Sequence, residues 1–434
     1  MKLEIVRTGI NGEGIGYYRH KPVFVVGALE GETVDLESLK DNGRYFTGQL
    51  RKIVVKSENR VRPFCKYQKY CGGCPLMITN YENQLKIKKE NLRETLEKYA
   101  GYTGRIEDVI PSEKILNYRN KINLPFAWKD GVLCNAMYAP GSNHPVIIDK
   151  CLIHDEKLEK VRLDVLKVLN GNHVKLYDNK SKTGVRQLII RGFEKVQIII
   201  VSGNDVFSAA LIDQIMKIPD VVSLYQCVNT IRNPISMLND DLRLLSGEKT
   251  IALQLNEYML NMLPKAFFQL NRYQADVIYR MIESLIPEKT GTIVEAYSGI
   301  GAISLHVHDL ADHVMGIELE SQAVDNARRN AEENGIGNVS FICGDAGKKM
   351  ISLAKKQKID ILIVDPPRSG LDQTMIDVIK RAKTERIIYV SCNPATLAKN
   401  IHDLSGYYKV DKVIPVDMFP QSEHVECVTL MTRK

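Results

Sequence analysis

The stretch TIVEAYSGIGAISL, residues 292–305, decides the fold of the C-terminal part of this chain. An apolar run of strand length ends in a tight Gly-x-Gly turn, and the turn opens a helix. Gly299 and Gly301 let the backbone approach a ligand, and such a turn lies at the carboxyl end of a strand, where ligands bind in open α/β sheets. The spacing is not a dinucleotide fingerprint, because Ser304 stands at the third glycine position. Moving outward, a helix predicted over 272–286 precedes this stretch, and HVMGIELE, SQAVDNARRNAEENG, VSFICGDA, IDILIVDPPRSG, RIIYVSCNP and VECVTLMTR follow it. Strand and helix patterns alternate from about residue 254, which predicts a parallel, doubly wound α/β sheet.

Three of the strands end in acids. Glu318, seventeen residues after Gly301, suits two ribose hydroxyls. Asp345 suits an adenine amino group, and Asp365 ends the fourth strand. A ribose, a base and a cationic head on one ligand describe S-adenosylmethionine, whereas a pyrophosphate would not favour so many acids. Each acid taken singly also reads as a helix N-cap. Cys392 ends a buried strand at SCNP, before a helix starting near Pro394, and a helix N-terminus favours a thiolate. The alternative is an inert buried cysteine. Glu426, at the start of the last strand, is a candidate general base if it enters the same pocket, and otherwise a surface acid.

The N-terminal part poses a different question. FCKYQKYCGGC, residues 64–74, holds three of nine cysteines. Without a signal-peptide pattern or an eighteen-residue apolar run, the chain is expected to be soluble and cytoplasmic, with no membrane partner. Reduced thiols then disfavour a disulfide and leave a metal or cluster site. The first gap, of five residues, fits the usual zinc spacing poorly. The chain carries a net charge of +7, and residues 51–98 alone hold 12 Lys and Arg against 5 Asp and Glu. That run reads either as a solvated face or as a phosphate-binding surface. Before it, five short strands with Gly turns predict a small OB-like β-barrel over 1–56. A helix is predicted from Tyr81 with Gly101 as its stop, and 57–253 reads as a mixed α+β central domain followed by the α/β domain at 254–434.

With these motifs the whole chain resembles the RNA uracil-5-methyltransferases, above all the iron–sulfur branch acting on 23S ribosomal RNA. The resemblance implies an N-terminal TRAM domain that binds RNA and a Rossmann-like methyltransferase domain. It implies that Cys65, Cys71, Cys74 and Cys151 hold a 4Fe-4S cluster of structural use. Gln269 of FFQLN, Tyr297, the Gly299–Gly301 turn, Glu318, Asp345 and Asp365 become the S-adenosylmethionine residues, with Asp365 also orienting the pyrimidine. Cys392 becomes the nucleophile and Glu426 the base. Ala302 stands where some relatives have Asn.

Carbon 5 of uracil is a poor nucleophile until a thiolate adds to carbon 6, which explains the need for such a cysteine and base. The target base must be flipped out of its stack, and Phe267 or Phe268 is expected to stack on it or fill the vacancy, unless both pack in the core. Tyr118 to Lys121, Arg186 and Arg191 are expected to grip phosphates, or to form a solvated face. RNA is the expected partner, with no obligate protein partner. The alternatives are a transfer RNA uridine-54 methyltransferase and a non-catalytic RNA-binding protein of the same architecture.

Overall fold

A computed structural model describes residues 1–434. The chain falls into two compact units, and neither is continuous in sequence. The first comprises Met1–Ile115, Pro366–Asp372 and Tyr389–Lys434, and the second Leu116–Asp365 and Gln373–Ile388. The division passes inside the strand Arg386–Ser391. No helix is long and apolar enough to cross a membrane.

The first unit begins with six strands rather than five, ordered Lys2–Glu4, Thr33–Asp41, Phe46–Val55, Lys21–Val25, Gly14–Tyr18, Arg7–Thr8. Alternating residues point inward, so Leu3, Val23, Val25, Val34 and Leu36 form one core. The buried Glu32 carboxylate takes the Arg60 guanidinium, which also donates to the Gly27 carbonyl at 2.7 Å. The 3-10 turn Pro75–Ile78 follows the cysteine segment. The helix Tyr81–Ala100 is capped by Asn80, whose side chain accepts from the Asn83 amide at 2.9 Å. Its buried Leu92 and Leu96 mark the inner face, and the helix packs on Pro394–Leu404. Tyr408–Val416 and Glu426–Arg433 pair antiparallel, with Glu426 opposite Val416.

The second unit holds a seven-stranded mixed sheet, ordered Leu242–Gly247, Val221–Val228, Val196–Ser202, Val185–Gly192, Lys121–Lys129, Val132–Tyr138, Pro145–Ile147. Val196–Ser202 is buried along its whole length, which accounts for the apolar run VQIIIVS. After the hairpin Ile251–Leu255 and Tyr258–Met262, four strands pair in parallel in the order Val339–Cys343, Ala311–Glu318, Thr290–Ala296, Ile361–Val364. The intervening connections carry helices, as the alternating pattern predicts.

Candidate active site

The Gly-x-Gly turn lies in the second unit. The strand Thr290–Ala296 leads into it and the helix Ala302–His306 leaves it. Tyr297, Gly299 and Gly301 all have positive φ, at 68°, 54° and 83°. A Cβ on Gly301 would stand 2.6 Å from the Phe341 ring, whereas one on Gly299 would meet nothing within 4 Å. Open space above Gly299 is what a ligand cradle requires. The Glu318 carboxylate faces the turn: Oε2 accepts from the Gly299 amide at 2.9 Å and Oε1 from the Glu320 amide at 3.0 Å. Each oxygen keeps a lone pair for a ribose hydroxyl. The buried Ser298 hydroxyl has no hydrogen-bond partner. A backbone turn with room above Gly299, an acid at its rim and an unsatisfied hydroxyl fit S-adenosylmethionine.

Beneath the turn lies a further acid, set inside the strand Thr290–Ala296 rather than beyond its end. Glu295 is buried, accepts from the Ser304 amide at 2.8 Å, and also takes the Ser304 hydroxyl. Loss of hydration pushes its carboxyl up to about 8, offset by the Ser304 bonds and reinforced by Asp365 and Glu318. Burial raises Asp365 as well. The buried Tyr279 phenol is kept neutral by desolvation first, then by Asp365 and Glu295. The visible signal for Glu295 was an acid inside an otherwise apolar strand. Asp345 turns out to be a helix N-cap, its Oδ1 accepting from the Lys348 amide at 2.9 Å. Gln269 is buried, and its carbonyl accepts from Asn120 at 2.9 Å.

Cys392 and Glu426 both belong to the first unit. Cys392 is partly buried at the end of the strand Arg386–Ser391, just before the helix Pro394–Leu404. Asn393 caps that helix through the Ala395 amide and also donates to the Arg368 carbonyl at 2.9 Å. Asn400 accepts from the Leu371 amide and the Tyr389 hydroxyl, each at 2.9 Å, so the PPRSG loop is tied to the SCNP turn. Glu426 is buried at the first position of its strand. Its neighbour Cys427 is pushed up to about 12, mainly by burial and also by the charge of Glu426.

Cys65, Cys71 and Cys74 lie in the first unit and Cys151 in the second. Burial raises the Cys71 thiol, with a smaller contribution from Cys65. No group of three or more His, Cys, Asp or Glu side chains is arranged to hold a metal ion. No chemical step is routed through a cluster.

The expected phosphate grips divide. Arg191 is buried and donates to the Leu263 and Pro264 carbonyls, each at 3.2 Å, so it braces a loop. Arg186 stacks on Tyr177 and donates to the Asn229 and Ile231 carbonyls. Lys121 differs: burial, then repulsion from Arg191 and Arg119, depresses it to about 8. A cation held against other cations suits an anionic ligand. Phe268 packs edge-on against Phe193, while Phe267 is 65% exposed. In the basic run 51–98, Arg51, Arg60, Lys88, Lys89 and Arg93 each meet a carboxylate, so its electrostatic reach is smaller than the count implies.

Residues 246–434 match the sequence model of the tRNA (uracil-5-)-methyltransferase family. An uncharacterized RNA methyltransferase of Clostridium tetani is 34% identical over 99% of this chain and 95% of its own length. One of Caldanaerobacter subterraneus is 35% identical over 100% of this chain and 98% of its own. The solved tRNA (uracil-54, C5)-methyltransferase of Pyrococcus abyssi, in complex with S-adenosyl-L-homocysteine, superposes with a TM-score of 0.79 at 25% identity, covering all of both chains. The cradle explains the cofactor and the kinship extends from end to end, so the chain belongs to the RNA uracil-5-methyltransferase family and is an S-adenosylmethionine-dependent enzyme acting on RNA.

Proposed function

We propose that this enzyme methylates carbon 5 of a specific uridine in 23S ribosomal RNA, in the cytoplasm, through a covalent adduct with Cys392. The observation that supports the mechanism is that a thiol just before a helix start and a buried carboxylate at a strand start belong to the same compact unit. S-adenosylmethionine, when bound at the Gly299–Gly301 turn, supplies an electrophilic methyl group. Gln269, Tyr297, Glu318, Asp345 and Asp365 are the residues we assign to holding it. The Cys392 thiolate spends its electron pair on a bond to carbon 6, and the 5,6 double-bond pair shifts toward carbon 5 and the carbon-4 carbonyl, making carbon 5 nucleophilic. Once carbon 5 carries the methyl, Glu426 removes its proton; the 5,6 double bond re-forms and the thiolate leaves. We assign the exposed Phe267 to the flipped base and Lys121 to a phosphate.

Cys392→Ala should abolish the covalent RNA adduct on denaturing gels, and a retained adduct would refute the nucleophile. Glu426→Gln should accumulate methylated adduct. The six-stranded N-terminal module is proposed as the TRAM domain that grips RNA. The cluster rests on Cys-x5-Cys-Gly-Gly-Cys and Cys151 alone; stoichiometric iron in anaerobically purified protein would support it, and zinc without iron would exclude it. A second reading, transfer RNA uridine 54, is favoured by the full-length likeness to the Pyrococcus abyssi enzyme. Mapping 5-methyluridine in ribosomal and transfer RNA after gene deletion separates the two substrates.

A further inference from the structure

The strand that begins with Glu426 is preceded by a loop, residues 417–425, whose conformation sets where that carboxylate points. The loop is fastened to the helix Tyr81–Ala100 by three side chains, Tyr81, Gln84 and Lys88. They stand at i, i+3 and i+7, on one helical face. Lys88 is fully buried, and its ammonium meets the buried Asp417 carboxylate and donates to the Phe419 carbonyl at 3.0 Å. The Tyr81 hydroxyl donates to the other Asp417 oxygen at 2.7 Å and accepts from the Ser112 amide at 2.7 Å. Gln84 and Gln421 exchange two bonds: Gln84 Nε2 to Gln421 Oε1 at 3.1 Å, and the Gln421 amide to Gln84 Oε1 at 3.0 Å. The Gln421 carbonyl accepts from the Leu76 amide at 3.0 Å, two residues beyond Cys74. Gln421 itself sits at φ 73°, in the left-handed region.

Apolar side chains of similar volume would hold two elements together at least as strongly as a buried ion pair. What buried polar groups add is a single permitted alignment, because any slip leaves a desolvated charge or amide unsatisfied. We propose that Tyr81, Gln84, Lys88, Asp417 and Gln421 are positioning residues that aim Glu426, and that the cysteine segment is wired into the same loop through Leu76. This rests on the reading of Glu426 as the base.

Gln421→Gly in the full-length enzyme is one test, because glycine accepts the left-handed backbone without strain, keeps the backbone donor to Gln84 and, of the two bonds to Gln84, deletes only that from Gln84 Nε2 to Gln421 Oε1. Proton removal should slow, so methylated covalent adduct should accumulate. Turnover should fall roughly 10- to 100-fold, with the KM for RNA within about 2-fold of wild type. Gln84→Leu should act in the same direction. A loss confined to thermal stability, or a changed KM without adduct, would assign the contacts to folding alone and overturn the proposal. If Glu426→Gln accumulates methylated adduct and neither clamp variant does, only the clamp falls. If Glu426→Gln does not, the base assignment falls and takes the clamp with it.

Discussion

Two buried charges, one in each unit, are handled in opposite ways. Glu295, under the cofactor turn, has no cation to neutralise it and keeps its proton near neutral pH. Lys88, under the Glu426 loop, is also fully buried, but Asp417 accompanies it. Burial pulls the lysine down and Asp417 pulls it back up. A lone buried acid remains uncharged and acts as a hydrogen-bonding strut, so the turn it supports is built largely from its own strand and helix. A paired charge needs a partner, and here the partner lies 329 residues away in sequence. The first arrangement supports a local device, and the second joins the two ends of the chain.

The largest expected effect comes from breaking the pair. Lys88→Met leaves Asp417 buried without its cation and should cost about 3–5 kcal/mol of unfolding free energy. Denaturant titration measures this, and Lys88→Met with Asp417→Leu should recover much of the loss. A cost no greater than that of an exposed ion pair would show that the two buried charges are handled alike.

The next effect concerns Glu295. Its carboxyl ionises near 4.5 in the unfolded chain and near 8 in the folded one, so the folded protein binds the extra proton between these values. Stability contributed by the protonated form is complete below pH 4.5 and falls as pH rises towards 8, by on the order of 3 kcal/mol. Glu295→Gln keeps the acceptor for Ser304 and should remove this slope, as unfolding curves across pH 5–8 would show. An unchanged slope would mean that Glu295 is ionised in the folded state. The smallest effect is expected at Gly299, where alanine meets no atom within 4 Å but must accept a φ of 54°. Gly299→Ala should cost only about 1–2 kcal/mol of stability. Its methyl group nevertheless enters the cradle, so S-adenosylmethionine affinity, read by calorimetry, should fall more than stability does.

The cofactor turn was legible because its parts are neighbours in sequence: strand, glycines and helix lie within 292–305, and Glu318 ends the next strand. Asp345 shows the ambiguity of such signals, since the same carboxylate caps a helix. Arg186 and Arg191 read as phosphate ligands because a charge in a sequence does not reveal which carbonyls it will meet. Lys88 was hidden for the same reason. It lies among lysines and glutamates on a helix whose pattern marks Leu92 and Leu96 as the buried face, yet it is completely enclosed.

The α/β class and the Gly-x-Gly turn could be read from the amino-acid order alone, because strand period and turn residues are local properties. Only the tertiary structure decided that residues 1–115 share a compact unit with 389–434, that Glu295 is a neutral strut, and that a loop before Glu426 is clamped by a helix near the other end of the chain. These outcomes depend on which desolvated groups find partners. That balance is struck between segments hundreds of residues apart, and no window of sequence contains both sides of it.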